Sequence, residues 1–284
     1  MSMTANRSGR RETWTTILIF LAIVTGLSTI FHLAIVNLMP TSLYVGPLMW
    51  SPAVAALLTL RIRGRAISSL PWQWGEWRNN GHAFMVPILY VLVAYALIWA
   101  LGLGGVPNED TLTGWAESAG LEGISNSALI VIMVLLLGTV GCIRAMSTIV
   151  GEEIGWRGFL IWELRKVLPF GGVALVSGLI WAIWHWPIVI YYGGGDPVIQ
   201  MAAFTVMITA MSVIMTYFTF KSESMWPAIL FHAAHNVYFD KIFDPLTIKG
   251  ENTALWTGEY GLMMPITTSM VALYFWRQAK AQGM

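Results

Sequence analysis

The stretch Gly151-Glu152-Glu153-Ile154-Gly155-Trp156-Arg157 sets two carboxylates side by side in an otherwise apolar part of the chain. An ionisable side chain inside a bilayer costs roughly 2.5–3.5 kcal/mol on insertion scales, so it marks a functional site by default. On a helix turning about 100° per residue, Glu153 and Arg157 share a face, with the acid N-terminal to the base, the favourable order. Glu152 lies about 140° from Arg157 by the same geometry and points elsewhere. One carboxylate is then held by Arg157 as a structural ion pair, and the other is free to move a proton. A helix-end ion pair at the membrane interface, with Glu152 in water, accounts for these residues equally well on their own.

Two further polar clusters follow. His185 sits in Trp181-Ala182-Ile183-Trp184-His185-Trp186-Pro187, where Pro187 cannot donate to the carbonyl of Ile183 and tends to kink or end the helix. In Phe231-His232-Ala233-Ala234-His235-Asn236, His232 and Asn236 are four apart and share a face, while His235 lies to the side. Ala233 and Ala234 between them allow a neighbouring helix to approach closely. Hydrogen bonding of His185 to the freed carbonyl, and polar packing or a pore lining for the later cluster, are the bland alternatives. His32 and Asn37, five apart, share no face closely, and His32 is expected to be a satisfied core histidine. His82 is expected to be solvated in a loop.

The elements that must carry these residues are membrane helices. The chain has 284 residues, 56% of them hydrophobic and 11% charged, with a mean hydropathy of +0.65. Soluble domains carry about 25% charged residues, so a polytopic membrane protein is implied. A net charge of +1 gives no basis for a nucleic-acid partner, leaving membrane lipids and a substrate as the expected contacts. The single cysteine, Cys142, excludes an internal disulfide and a zinc–thiolate cluster, and suits a small packing residue. No cleavable signal peptide is expected, because the first apolar run is too long.

Eight spans are predicted: Trp14–Leu38, Leu43–Leu60, Ala83–Leu103, Asn126–Val150, Gly172–Tyr192, Val198–Phe220, Met225–Phe239 and Leu255–Trp276. Each must be a helix, since irregular backbone is not tolerated against lipid. The seventh is short and polar, so it belongs inside the bundle. Arg and Lys collect before the first span and after the second, fourth, sixth and eighth, whereas Gly104–Ser125 carries four acids and no base. The positive-inside rule then places both termini in the cytoplasm. Lys241 and Lys249, in the loop Asp240–Ala254, are the weak point of the alternation. Leu70-Pro71-Trp72-Gln73-Trp74-Gly75-Glu76-Trp77 reads as an interfacial segment. The fold class is an all-α integral membrane protein, residues 1–284 forming one domain of about eight transmembrane helices around a polar intramembrane cavity.

Taken in order, Glu152-Glu153-x-x-x-Arg157, Trp181-x-x-x-His185 and His232-x-x-x-Asn236 resemble the three boxes of the CAAX prenyl protease and bacteriocin-processing family of intramembrane endopeptidases. The resemblance covers roughly residues 128–240 as the catalytic core, with Trp181 standing where phenylalanine is common. It implies peptide-bond hydrolysis in a cavity open to the cytoplasm, on a peptide or lipidated-peptide substrate with or without a prenyl group. Amide hydrolysis needs a base for water, oxyanion stabilisation and an acid for the amine. The implied catalytic residues are Glu152 as base, His185 beside the water, His232 and Asn236 at the oxyanion, and Glu153 held rigid by Arg157. Zn2+ on Glu153, His185 and His232, with an open fourth position, is one variant; metal-free activation of water by Glu152 and His185 is the other. A prokaryotic plasma membrane is the expected location. A non-catalytic binding protein, a bacteriocin self-immunity protein and a transporter are the competing classes. The absence of a visible repeat disfavours the transporter.

Overall fold

The computed structural model describes residues 3–38, 41–250 and 253–284. The middle of the Asp240–Ala254 loop, residues 251 and 252, lies outside the described residues. Every regular element among those described is helical, apart from one isolated bridge between Gly105 and Ile248. The chain is an all-α integral membrane protein.

The order is α1 (Met3–Asn37), α2 (Ser42–Ile62), α3 (Trp77–Ala100) and a short α4 (Glu109–Ala119). A long helical rod then runs from Asn126 to Arg165. It comprises α5 (Asn126–Leu136), α6 (Cys142–Glu153) and α7 (Ile161–Arg165), joined by π-helical turns at Leu137–Gly141 and Ile154–Leu160. After it come α8 (Phe170–Tyr192), α9 (Pro197–Ser222), α10 (Trp226–Asn236) with a π-helical extension Val237–Phe243, and α11 (Met263–Ala281). Such π turns insert an extra residue into the helical ladder and recur at functional sites. Two of the three adjoin the Glu152 and His232 clusters.

Among the described residues, six helices are long and apolar enough to cross a membrane: Gly9–Asn37, Leu43–Ile62, Trp77–Ala100, Asn126–Arg165, Phe170–Tyr192 and Pro197–Ser222. The expected count of eight is therefore not confirmed. The seventh expected span is the 11-residue α10, mostly buried among its neighbours as its polarity suggested. The eighth begins at Met263 rather than Leu255 and carries Arg277 and Lys280. The fourth does not stop at Val150 but continues to Arg165. The acidic loop Gly104–Ser125 folds α4, whose Asn108 and Gly120 caps satisfy its ends.

The bundle has two distinct ends. At the end holding both termini, Arg63, just past α2, pairs with Glu12 on α1 at 2.6 Å, and Arg65 and Lys166 both reach the buried Glu163. There the Trp72–Trp77 segment is more than an interfacial decoration. Trp226 donates its indole N–H to the Trp72 carbonyl at 2.9 Å, and Trp74 packs between Trp77 and Trp226. At the opposite end, Tyr95 donates to Asp244 at 2.7 Å and Trp99 to Thr247 at 3.0 Å, tying α3 to the chain after α10. His82 is exposed on the first turns of α3 rather than in a loop.

The acidic motif is positioned by two glycines. Gly151 and Gly155 are four apart and both lie against α2. A Cβ on Gly151 would meet Trp50 Cα at 2.8 Å, and one on Gly155 would meet Pro52 Cβ at 2.4 Å. Small residues at this spacing let two helices touch backbone to backbone in a membrane. With that face sealed against α2, Glu152 and Glu153 are turned toward α8 and α10.

Candidate active site

All three sequence clusters converge on one cavity of about 630 Å³, within the usual range of small-ligand sites. Its wall includes Glu152, Trp181, His185, His232, His235 and Asn236. Apolar wall is supplied by Leu48 and Met49 of α2, Ile188 of α8, and Ile208 and Met211 of α9.

Glu152 is buried, and its Oε2 accepts a 2.8 Å hydrogen bond from the Trp181 indole N–H. Glu153 is fully buried and absent from the cavity wall. Its Oε1 accepts from Arg157 Nη1 at 3.2 Å and from His232 Nδ1 at 2.8 Å. The predicted division of labour, one acid held by Arg157 and one turned elsewhere, is the arrangement seen. Glu153 therefore reaches the cavity only by way of its contact with His232.

Trp181 organises the rest. The Arg157 guanidinium lies 4.0 Å from its ring centroid, a cation–π contact that gains weight when desolvated. Its backbone carbonyl lies 3.0 Å from His185 Nδ1. A carbonyl only accepts, so Nδ1 carries the hydrogen and Nε2 is left with its lone pair. Its ring edge meets His185 and His232 at centroid distances of 5.8 and 5.3 Å. Trp181 stands where phenylalanine is common in the resembled family, yet phenylalanine has no N–H to give Glu152. α8 also passes through Pro187 unbroken to Tyr192, and His185 bonds the carbonyl of Trp181 rather than that of Ile183.

His235 points sideways, as its position predicted, and its Nδ1 lies 2.6 Å from the Tyr90 hydroxyl on α3. Cys142 packs against the Ala233 carbonyl, where the small Ala233 and Ala234 admit α6. His32 is buried beside Trp184, but its Nε2 has no hydrogen-bond partner among the described residues. The expectation of a satisfied core histidine is thus corrected: the ring packs edge-on to an indole, and its Nε2 is left without a partner among the described residues.

Sequence reasoning missed the cavity's rim: Asp240, Lys241, Glu259 and Tyr260. Glu259 and Tyr260 come from the loop before α11, which was assigned to the eighth span. Asp240 and Lys241 pair with each other at 2.8 Å. Glu259 is half-buried, and burial, reinforced by the negative charge of Asp240, pushes its carboxyl up to about 7.

The zinc variant asks Glu153, His185 and His232 to converge on one ion. Among the described residues no group of three His, Cys, Asp or Glu side chains is placed to hold a metal. Glu153 also has its Oε1 engaged by Arg157 and His232 and lies behind the cavity wall. That ligand set does not fit, and no step is derived through it.

The mouth of the cavity is formed at the ends of helices remote from both termini: Ile35 near the end of α1, Val45 at the start of α2, Tyr192 at the end of α8, and the Asp240–Tyr260 rim. Toward the termini, Trp156 packs on the lining Trp184, and Phe20 joins Trp156 and Phe159, all three buried. A cytoplasmic mouth and cytoplasmic termini were both expected. In this structure they lie at opposite ends, so only one of the two can hold.

Residues 124–238 match the family model of the type II CAAX prenyl endopeptidases, described as Rce1-like. A CAAX prenyl protease 2 from Methanococcus maripaludis is 21% identical over 159 residues, 54% of this chain and 54% of the relative. The chain thus matches about half the length of that curated relative. The matched segment contains all three boxes, and the family resemblance read from them holds.

Proposed function

From that resemblance to the type II CAAX prenyl endopeptidases over the site-building segment, we propose that this chain is an intramembrane endopeptidase that hydrolyses a peptide bond with water activated by Glu152 and His185. The observation that carries the proposal is the pairing of roles in the two acids. Glu152 is on the cavity wall and steadied by one N–H, while Glu153 is behind the wall and engaged by Arg157 and His232.

In this mechanism a water lies between Glu152 and His185 Nε2, both of which accept its hydrogens. Glu152 removes a proton as the oxygen attacks the peptide carbonyl. Donors aimed at the developing oxyanion supply much of the acceleration in such a step. The Asn236 amide is one, and the His232 ring, fixed by Glu153 through Nδ1, is the other. Protonated Glu152 then gives its proton to the departing amine as the C–N bond breaks. Arg157 and Trp181 take no part in bond making and hold the acids in register. The route needs no metal, and retention of hydrolysis in the presence of chelator is its expected signature.

The test is turnover of a peptide by purified protein. Hydrolysis that survives His185→Ala at the wild-type rate contradicts the shared activation of water. Hydrolysis abolished by chelator and restored by Zn2+ contradicts the metal-free route.

A further inference from the structure

We propose that the cavity receives its substrate from the extracytoplasmic side of the membrane, as an apolar peptide segment flanked by a cationic group. This rests on the endopeptidase reading for the use of the site, but its geometry stands independently.

Two observations combine. The first is that the rim residues of the cavity gather at one end of the bundle. The rim is built from α1, α2 and α8 at the ends remote from the termini and from the loop before α11, whereas the buried Phe20, Trp156 and Phe159 lie toward the opposite end. The second is the distribution of charge. Arg and Lys of the loops collect at the end bearing the termini, in company with the Arg63–Glu12 and Arg65–Glu163 pairs. At the mouth end the loop cations among the described residues are Lys241 and Lys249, and each is neutralised by an aspartate, Asp240 at 2.8 Å and Asp244 at 2.7 Å. These two lysines stand against Arg63, Arg65, Arg165, Lys166 and Lys221 at or beside the loops of the other end, and it is the count of Lys and Arg that sets orientation. The positive-inside rule then puts the termini in the cytoplasm and the mouth outside.

The walls describe what enters. Leu48, Met49, Ile188, Ile208 and Met211 make the apolar part of the wall beside the polar groups. At its rim Asp240 is occupied by Lys241, while Glu259 has no ion-pair partner among the described residues. A peptide whose apolar stretch lies along that wall therefore leaves Glu259 to meet an amino terminus or a Lys or Arg beside that stretch. A cytoplasmic protein C-terminus does not reach this mouth; a segment exported across the membrane, or exposed on its outer face, does.

The experiment is site-directed labelling in intact cells of an expression host. Cys142 is buried, so the unsubstituted chain serves as the unlabelled reference, and Cys142→Ala is not required. Lys241→Cys reports the mouth, and Ser69→Cys, exposed beside the terminal end, reports the opposite face. A membrane-impermeant maleimide is expected to label Lys241→Cys from outside, and Ser69→Cys only after permeabilisation. The reverse pattern overturns the inference. Labelling is independent of turnover, so a protein oriented as proposed that hydrolyses nothing refutes only the endopeptidase reading. Conversely, a protein that cleaves peptides in detergent but labels in reverse refutes only the sidedness. For the substrate chemistry, two fluorogenic peptides differing by Lys or Glu beside the apolar stretch are compared in detergent. At least a tenfold preference for the Lys peptide, lost in Glu259→Gln, is expected; equal cleavage of the two overturns the cationic requirement.

Discussion

Replacing Arg157 by methionine tests the architecture beneath the site. The side chain is 1% exposed and Glu153 is 0% exposed, with 3.2 Å between Nη1 and Oε1. Methionine roughly preserves volume, so the change removes the charge while leaving little void. It deletes the charge-assisted hydrogen bond to Glu153 and the stacking on Trp181 at 4.0 Å. Glu153 is left with His232 alone, and stranding one member of a buried pair costs roughly 3–5 kcal/mol. The lower end applies here, because Arg157 Nε and Nη2 and Glu153 Oε2 have no hydrogen-bond partners among the described residues. The pair being removed is an incompletely satisfied one. A loss of about 3 kcal/mol corresponds to a fall in Tm of about 6–12 °C at about 2–4 °C per kcal/mol. Thermal unfolding of the detergent-purified variant at neutral pH reads it directly. The double variant Glu153→Gln/Arg157→Met should recover most of the loss, since an amide needs no counter-charge and contacting residues are non-additive. An unchanged Tm in the single variant, or a double variant showing the sum of both single losses, refutes the reasoning.

Trp181→Phe keeps the aromatic packing but removes the N–H to Glu152. A stranded buried acceptor costs about 1–3 kcal/mol, and the account expects kcat to fall by at least tenfold with KM little changed; equal effects on both would make Trp181 a packing residue only. Gly155→Ala forces a Cβ to within 2.4 Å of Pro52 Cβ, and overpacking of this kind costs about 1–3 kcal/mol, seen as a lower Tm. An unaltered Tm would mean that α2 can move away freely. Glu259, facing Asp240, Glu152, His232 and Tyr260, has its carboxyl raised from 4.5 to about 7. The proton is bound more tightly in the folded chain, so the stabilisation is fully present below pH 4.5 and is lost as pH rises through about 7. Two readouts therefore move in opposite directions: stability declines from pH 5 to 8, while cleavage of a peptide with a cationic flank increases as Glu259 ionises. Glu259→Gln should flatten both, and profiles identical to wild type would remove Glu259 from the mouth.

Much of the site was legible because its residues are rare in apolar sequence. Glu152, His185, His232 and Asn236 stand out against their surroundings, and helical spacing alone separated Glu152 from the Glu153–Arg157 pair. The roles of Trp181 and Tyr90 were hidden because fifteen tryptophans and nine tyrosines make any one of them unremarkable in composition. The i, i+4 spacing of Gly151 and Gly155 is a signal for close helix approach, masked in the sequence by the two acids between them. Hydropathy placed the elements well where a span is apolar throughout, as in α8 and α9. It failed where burial comes from neighbouring protein rather than lipid: α10 is short, the loop before α11 turns inward to supply Glu259, and the rod from Asn126 outruns any bilayer thickness. Sidedness of the mouth was beyond sequence, since it depends on which helix ends enclose the cavity.

The central claim is that Glu152 activates water for peptide hydrolysis, and its most direct test is a panel of fluorogenic peptides, prenylated and unprenylated, with detergent-purified wild-type protein and Glu152→Gln. The account predicts cleavage of at least one peptide by wild type, loss of at least a thousandfold in kcat in Glu152→Gln, and a Tm close to wild type. Cleavage retained by Glu152→Gln within a few-fold of wild type would contradict it.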